Sequence, residues 1–301
     1  MYLSKVLKSL FLFLTIGIST ILAQDDVTII APTSEAAEGL DLTAVSELFK
    51  DTESLEEFEK QLNDPETEIN NLDLDDNGEV DYIRIVEDVV DDTHIIILQV
   101  PLGEDEFQDV ATIEVEKNGE EDYNLQVRGN EEIYGPDYYI APAHVHIHAW
   151  PIIPWIYRPV YRPYRSTFYF GFYPRWWRPY RPVTVNVYRT RTVRYTSRRT
   201  FTVRRTSVVR TSTKVNYKPR SSTRVKKKTT VSVSNQGGKK SITHKTKRTN
   251  ASGKTTTTKR TVTKKKNPKT GKSTVTRSKR KTTKTKGGKK TTKVKRTRKK
   301  D

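Results

Sequence analysis

Cysteine is absent from all 301 residues, which excludes a disulfide framework, a thiol nucleophile and a lipid-modified amino-terminal cysteine. Acidic residues are missing from the second half: 35 of the 36 lie between positions 25 and 137, and the last is Asp301. No Gly-x-Ser-x-Gly elbow, Walker loop or dinucleotide fingerprint occurs, so no established catalytic motif points to an enzyme. Apolar residues make up only 34% of the chain against 30% charged, so not all of it is expected to fold. The longest apolar stretch near the start, residues 9–23, is 15 long, shorter than the roughly 20 residues of a spanning helix.

What is present is strongly partitioned. Residues 25–137 hold 35 carboxylates against five cations, a net of −30, whereas residues 138–300 carry 48 cations and no acid. Such asymmetry predicts an acidic folded part bearing a basic arm. Lys5 and Lys8 ahead of the apolar run 10–23 read as a secretory signal peptide ending at Ala23. Export without disulfides suits the periplasm, outer envelope or exterior of a bacterium. The expected divisions are a signal peptide 1–23, a linker 24–39, an acidic domain 40–130, an aromatic, proline and arginine region 131–183, and a basic low-complexity tail 184–301.

Within residues 40–130 the apolar periods are legible. Leu42, Val45, Leu48 and Phe49 mark one face of a short helix. Ser54 and Glu57 form a capping box ahead of Phe58 and Leu62, and Asp64-Pro65 stops that second helix. Strand-like runs follow at 80–90, 93–100, 110–117 and 123–128, with Asn118-Gly119 as a hairpin turn. The expected fold is α+β: two helices packed on an antiparallel meander of about four strands, then an irregular stretch and a disordered tail.

Two candidate metal sites emerge. Asp73, Asp75 and Asn77 offer oxygens at positions one, three and five of a calcium loop, with Gly78 at the sharp turn, the Glu79 carbonyl at seven and Asp81 at nine. Arg84 stands where an EF-hand places its last glutamate; the pattern resembles the helix-free calcium loops of integrin-type β-propellers, and it competes with a plain Asn77-Gly78 hairpin turn. His144, His146 and His148 would share one face of a strand and could chelate zinc or copper. A periplasmic metal-binding protein using both is the alternative functional reading.

Residues 134–183 hold nine of the 14 prolines and all four tryptophans. They repeat an Arg-Pro unit beside an aromatic, as at Tyr157, Tyr161, Trp177 and Tyr180. Arginine stacking on aromatic faces could order this stretch locally, and it could wrap the acidic domain or meet a membrane surface, a sugar or single-stranded nucleic acid. Residues 183–195 alternate like one further strand. The tail beyond, dominated by Lys, Thr, Ser and Arg, holds too few apolar residues to offset chain entropy and is expected to stay extended. In composition it resembles linker-histone tails. Its cations, among them Lys226, Lys227, Lys228, Lys264, Lys265, Lys266, Arg280, Lys281, Arg296 and Arg298, would bind polyanions by counterion release: lipopolysaccharide, acidic polysaccharide, extracellular DNA, or the chain's own acidic domain.

The leader, the segment Asp73-Leu-Asp-Asp-Asn-Gly-Glu-Val-Asp-Tyr-Ile-Arg84, the histidine-rich approach to Trp150-Pro151 and the aromatic Arg-Pro stretch together resemble a group of uncharacterised exported proteins of Bacteroidetes-type bacteria. The resemblance covers residues 23 to about 183 and leaves out the tail. It implies an exported location and this overall plan, and it carries over no activity. The expected function is thus a non-catalytic envelope or matrix protein with a polyanion-binding tail and an acidic scaffold stabilised by calcium.

Overall fold

The computed structural model describes residues 37–143, 146–210, 221–234, 239–267 and 269–300, with side chains left out at 226–234 and 299–300. The leader 1–23, most of the linker and His144 lie outside these residues. The described chain is mostly β, two antiparallel sheets of six and five strands. This corrects the expected α+β unit of two helices on four strands with a disordered tail.

Helix α1 (Leu42–Asp51) starts at Asp41, whose Oδ1 accepts from the backbone of Thr43 at 2.8 Å and Ala44 at 3.4 Å. Helix α2 (Leu55–Asn63) starts at Ser54, which accepts from Glu57 N. Glu57 returns to the backbone of Glu53 rather than Ser54, so the box is displaced by one residue. The apolar stripes bury Leu42, Val45, Phe49, Phe58 and Leu62 completely, and the rings of Phe49 and Phe58 meet edge to face at 5.3 Å.

These helices cover one face of a meander, β1 (Arg84–Val90), β2 (Thr93–Gly103), β3 (Glu106–Lys117) and β4 (Tyr123–Gly129). A one-turn helix α3 (Glu131–Tyr134) follows, and its Tyr134 ring lies where a Cβ on Gly129 would sit, 2.7 Å away, so that position admits only glycine. The sheet is then completed from outside the expected domain. Strand β5 (Tyr139–Pro142) pairs with β4, and β6 (Phe201–Arg204) pairs with β5. Four-residue strands carry too little alternation to be read alone; register with β4 makes them.

Between them the chain forms a short helix α4 (Ile152–Ile156), a strap over residues 157–183, and helix α5 (Val185–Thr196). The alternation expected to give a strand at 183–195 gives α5 instead. Tyr188 and Thr192, one turn apart, are its buried residues, and the Tyr188 hydroxyl accepts from Asp41 N and donates to Ile69 O, both at 2.8 Å.

The strap is held by tyrosine hydroxyls. Tyr161 donates to Glu87, and Tyr164 and Ser166 donate to Glu59 at 3.2 and 2.6 Å. Tyr180 donates to Asn70 O at 2.7 Å, and Tyr157 to Val115 O at 2.9 Å. Phe168, Tyr173 and Trp177 enclose Tyr82, with centroids 5.2 to 5.8 Å away. The neighbouring arginines 158, 162, 178 and 181 are exposed. Arginine stacking, expected to order the stretch, is confined in the strap to Arg158 over Trp155 and Tyr161.

The basic tail forms the second sheet, in order β11-β10-β9-β8-β7. Its strands are β7 (Thr223–Ser234), β8 (Lys239–Asn250), β9 (Thr255–Lys266), β10 (Ser273–Thr285) and β11 (Gly288–Lys300). Turns between strands fall at Gly253 (φ 76°) and Gly271 (φ 68°), each in the left-handed region where glycine carries no Cβ penalty. Threonine, β-branched, fits the pleated surface. Low apolar content leaves the tail without a core of its own, and docking on the acidic unit supplies what it lacks. Val225 is fully buried in the main core, its N–H donates to Gln108 Oε1 at 2.9 Å, and Arg248 pairs with Glu106.

Candidate polyanion-binding surface

Side chains alternate across the tail sheet, so each face reads from the register. One face turns toward the acidic unit. It holds Ile242, Val262, Val275 and Val294, together with Arg248 and Arg260. Arg260 Nη1 lies 2.9 Å from Asp76 Oδ1, and Arg248 donates to Leu102 O at 2.7 Å. A cleft of about 460 Å³ separates the two parts, with Asp75, Asp76 and Glu106 facing Arg248, Lys279 and Lys281. Burial pushes the Glu106 carboxyl up, but hydrogen bonds from Asn250 and Arg248 outweigh it and leave it below the ordinary carboxylate value.

The opposite face differs. Lys245 stands opposite Lys259, Lys259 opposite Arg280, and Arg280 opposite Lys293. These four cations form one straight row across four strands, spanning roughly 14 Å at the usual interstrand spacing of about 4.8 Å. All four are exposed, and none has an acidic partner among the described residues. On both sides of the row run hydroxyl ladders: Thr243 with Thr261 at 3.1 Å and Ser241 with Thr263 at 2.9 Å on one side, Thr282 with Thr291 at 3.2 Å on the other. Among the described side chains this face carries no acid and no apolar residue.

Like charges directly opposite in a sheet are destabilising. Two unit charges about 5 Å apart repel by about 0.8 kcal/mol even at the dielectric of water. The row is therefore a local cost that an anion lying along it would reverse.

Of the cations singled out from sequence, Lys265 and Arg280 lie on this outer face. Lys264, Lys266, Lys281, Arg296 and Arg298 lie on the face toward the acidic unit. Lys226, Lys227 and Lys228 stand in β7, with side chains outside the described set. Sequence reading missed Lys245, Lys259 and Lys293. Folding the tail about Gly253, Gly271 and Gly288 would have aligned them.

The aspartate loop is not a hairpin turn. Asp81 N donates to Leu72 O at 2.7 Å and its carboxylate accepts from Leu74 N, closing the loop at its neck. Asp73 accepts from Asn77 N and Gly78 N, both at 3.1 Å, Asp75 from Asn77 N at 3.0 Å, and Asn77 from Glu79 N at 2.7 Å. The side-chain oxygens of Asp73, Asp75, Asn77 and Asp81 are thus turned onto the loop's own amides, and the Glu79 side chain is exposed. His146 and His148 are exposed with rings 6.0 Å apart, but on a 3-10 turn (Ile147–Ala149) rather than the expected strand. Among the described residues no three His, Asp or Glu side chains gather in a way that could hold a metal ion.

The buried His94 lies 2.7 Å from Glu87, which also receives Tyr161 and the backbone N–H of Tyr164. With Glu59 it anchors the strap. Burial pushes Glu59 above the ordinary carboxylate value against four donors, Ser166, Tyr82, Ile85 N and Tyr164. Sequence reading gave these residues no role; an acid at the centre of a tyrosine-rich fold carries no local signature. No helix among the described residues is long and apolar enough to cross a membrane. Comparison with family models, curated proteins and solved structures finds no match to this chain.

Proposed function

We propose that this is a non-catalytic envelope or matrix protein whose carboxyl-terminal sheet binds polyanions, with the acidic unit as its scaffold. The observation that carries the reading is the exposed row of Lys245, Lys259, Arg280 and Lys293, without an acid on its face. Counterion release from a polyanion drives association with such a surface and makes it salt-dependent. Export comes into this reading from residues 1–23, and a polyanion of the envelope or its surroundings is then the partner the sheet would meet: lipopolysaccharide, acidic polysaccharide or extracellular DNA. The test is sedimentation of the full chain with each of these at low and high salt. Co-sedimentation at low salt, lost as salt rises, is expected. Absence of co-sedimentation with all three at low salt overturns the reading, and recovery of the protein from the cytosol with residues 1–23 attached overturns its location.

A further inference from the structure

The row of cations has a direction and a spacing, and both constrain what can lie on it. It runs perpendicular to the strands, straight over four of them, with one charge per strand. A complementary partner is therefore linear and extended, and its charges recur at about the interstrand spacing of 4.8 Å.

The rows beside it narrow the chemistry. Thr243, Thr261 and Ser278 flank the cations on one side, with Lys295 closing that row, and Thr257, Thr282 and Thr291 on the other, with Lys247 closing it. Each hydroxyl both donates and accepts, so a partner with its own hydroxyl groups is matched along both edges. Single-stranded nucleic acid is held by stacking its bases on aromatic side chains, yet residues 223–300 contain no Phe, Tyr or Trp. Duplex DNA is read by elements inserted into a groove, and this sheet face has no projecting element. Three of the four cations are lysines, point charges that each meet one anionic group without a bidentate fork.

We propose that the Lys245–Lys259–Arg280–Lys293 row is the binding track for a linear acidic polysaccharide bearing one carboxylate per sugar, each carboxylate meeting one cation and the sugar hydroxyls meeting the threonine ladders. The proposal deepens the polyanion reading and rests on it. Because the bare row repels itself, occupancy also stabilises the sheet.

The experiment uses the full chain with three probes, polygalacturonate, duplex DNA and polyphosphate, at one fixed salt concentration. A track variant carries Lys245→Gln, Lys259→Gln, Arg280→Gln and Lys293→Gln. A control variant removes the same charge from the other face with Lys264→Gln, Lys266→Gln, Lys281→Gln and Arg296→Gln. The track variant is expected to lose on the order of tenfold or more in polygalacturonate affinity relative to the control variant, about 1.4 kcal/mol. It should unfold no earlier than the unchanged protein when free, and lose the rise in melting temperature that polygalacturonate gives. Equal losses in the two variants would overturn the track while leaving the polyanion reading standing. A larger loss for DNA or polyphosphate than for polygalacturonate would overturn the polysaccharide. Failure of the unchanged protein to bind any probe would remove the polyanion reading itself. Amide protection of the sheet, measured on both variants, keeps misfolding from imitating either result.

Discussion

Arg260 reaches back 184 residues to Asp76, its Nη1 2.9 Å from the carboxylate and its Nη2 2.7 Å from the backbone carbonyl of the same residue. Asp76 sits at φ 62°, in the left-handed region, and presents both acceptors to one guanidinium. A bidentate contact of this kind carries more specificity than a lone surface ion pair. Arg260→Ala and Asp76→Ala should therefore be non-additive in a double-mutant cycle, with a coupling of about 1 kcal/mol that shrinks as salt is added. Additivity of the two changes would mean that the tail sheet is not fastened there.

Helix α5 meets the start of the first helix through the Tyr188 hydroxyl, and Arg198 just beyond its end pairs with Asp51. Tyr188 is buried, and its oxygen bridges Asp41 N and Ile69 O. Removing it leaves the buried Ile69 carbonyl and the part-buried Asp41 N–H without this partner, a buried unpaired group costing about 1–3 kcal/mol. Tyr188→Phe should lower the unfolding free energy by at least the lower figure in urea titration. An unchanged midpoint would show that water replaces the hydroxyl.

The acids divide by the sign of their shift. Glu59 is held above its ordinary value of 4.5 by burial, so its protonated form favours the folded state; the stability it contributes is present below 4.5 and lost as pH rises through its folded value. Glu106 and Glu116 are held below 4.5, because hydrogen bonds from Asn250 and Arg248, and from Asn124 and Arg210, outweigh burial. Their stability is present above 4.5 and lost as pH falls through the lowered values. Urea titrations across pH should show Glu59→Gln flattening the fall on the higher-pH side and Glu106→Gln flattening the fall on the acid side. The reverse assignment would contradict both environments.

The aspartate loop keeps its shape through its own amides. Chelation by EDTA should leave the melting temperature unchanged. A drop reversed by added calcium would place an ion on Asp73, Asp75, Asn77, Glu79 and Asp81.

The sequence was legible where a local pattern meets a local cause. Strands β1, β3 and β4 follow alternation and the Asn118-Gly119 turn, β2 follows its continuous β-branched run, and the two helices follow Asp41, Ser54 and their apolar stripes. It was illegible where distant partners decide. Val185 and Val187 alternate as a strand would, yet Tyr188 is claimed by Asp41 N and Ile69 O and the segment coils. The tail holds few apolar residues, yet its glycines fall at strand-length intervals, its threonines pair across strands, and Glu106, Asp76 and Gln108 hold it from the acidic unit. The cation row was hidden for the same reason: Lys245, Lys259, Arg280 and Lys293 are neighbours only after four strands are registered.

In the Tyr-Arg-Pro units of the strap, anchorage and charge sit on alternate letters. Tyr157, Tyr161 and Tyr180 hold the wrapping in place, whereas Arg162 and Arg181 have no acidic partner among the described residues. Drift at the arginines can therefore retune how this shell meets its surroundings without unfastening it, and drift at the tyrosines cannot.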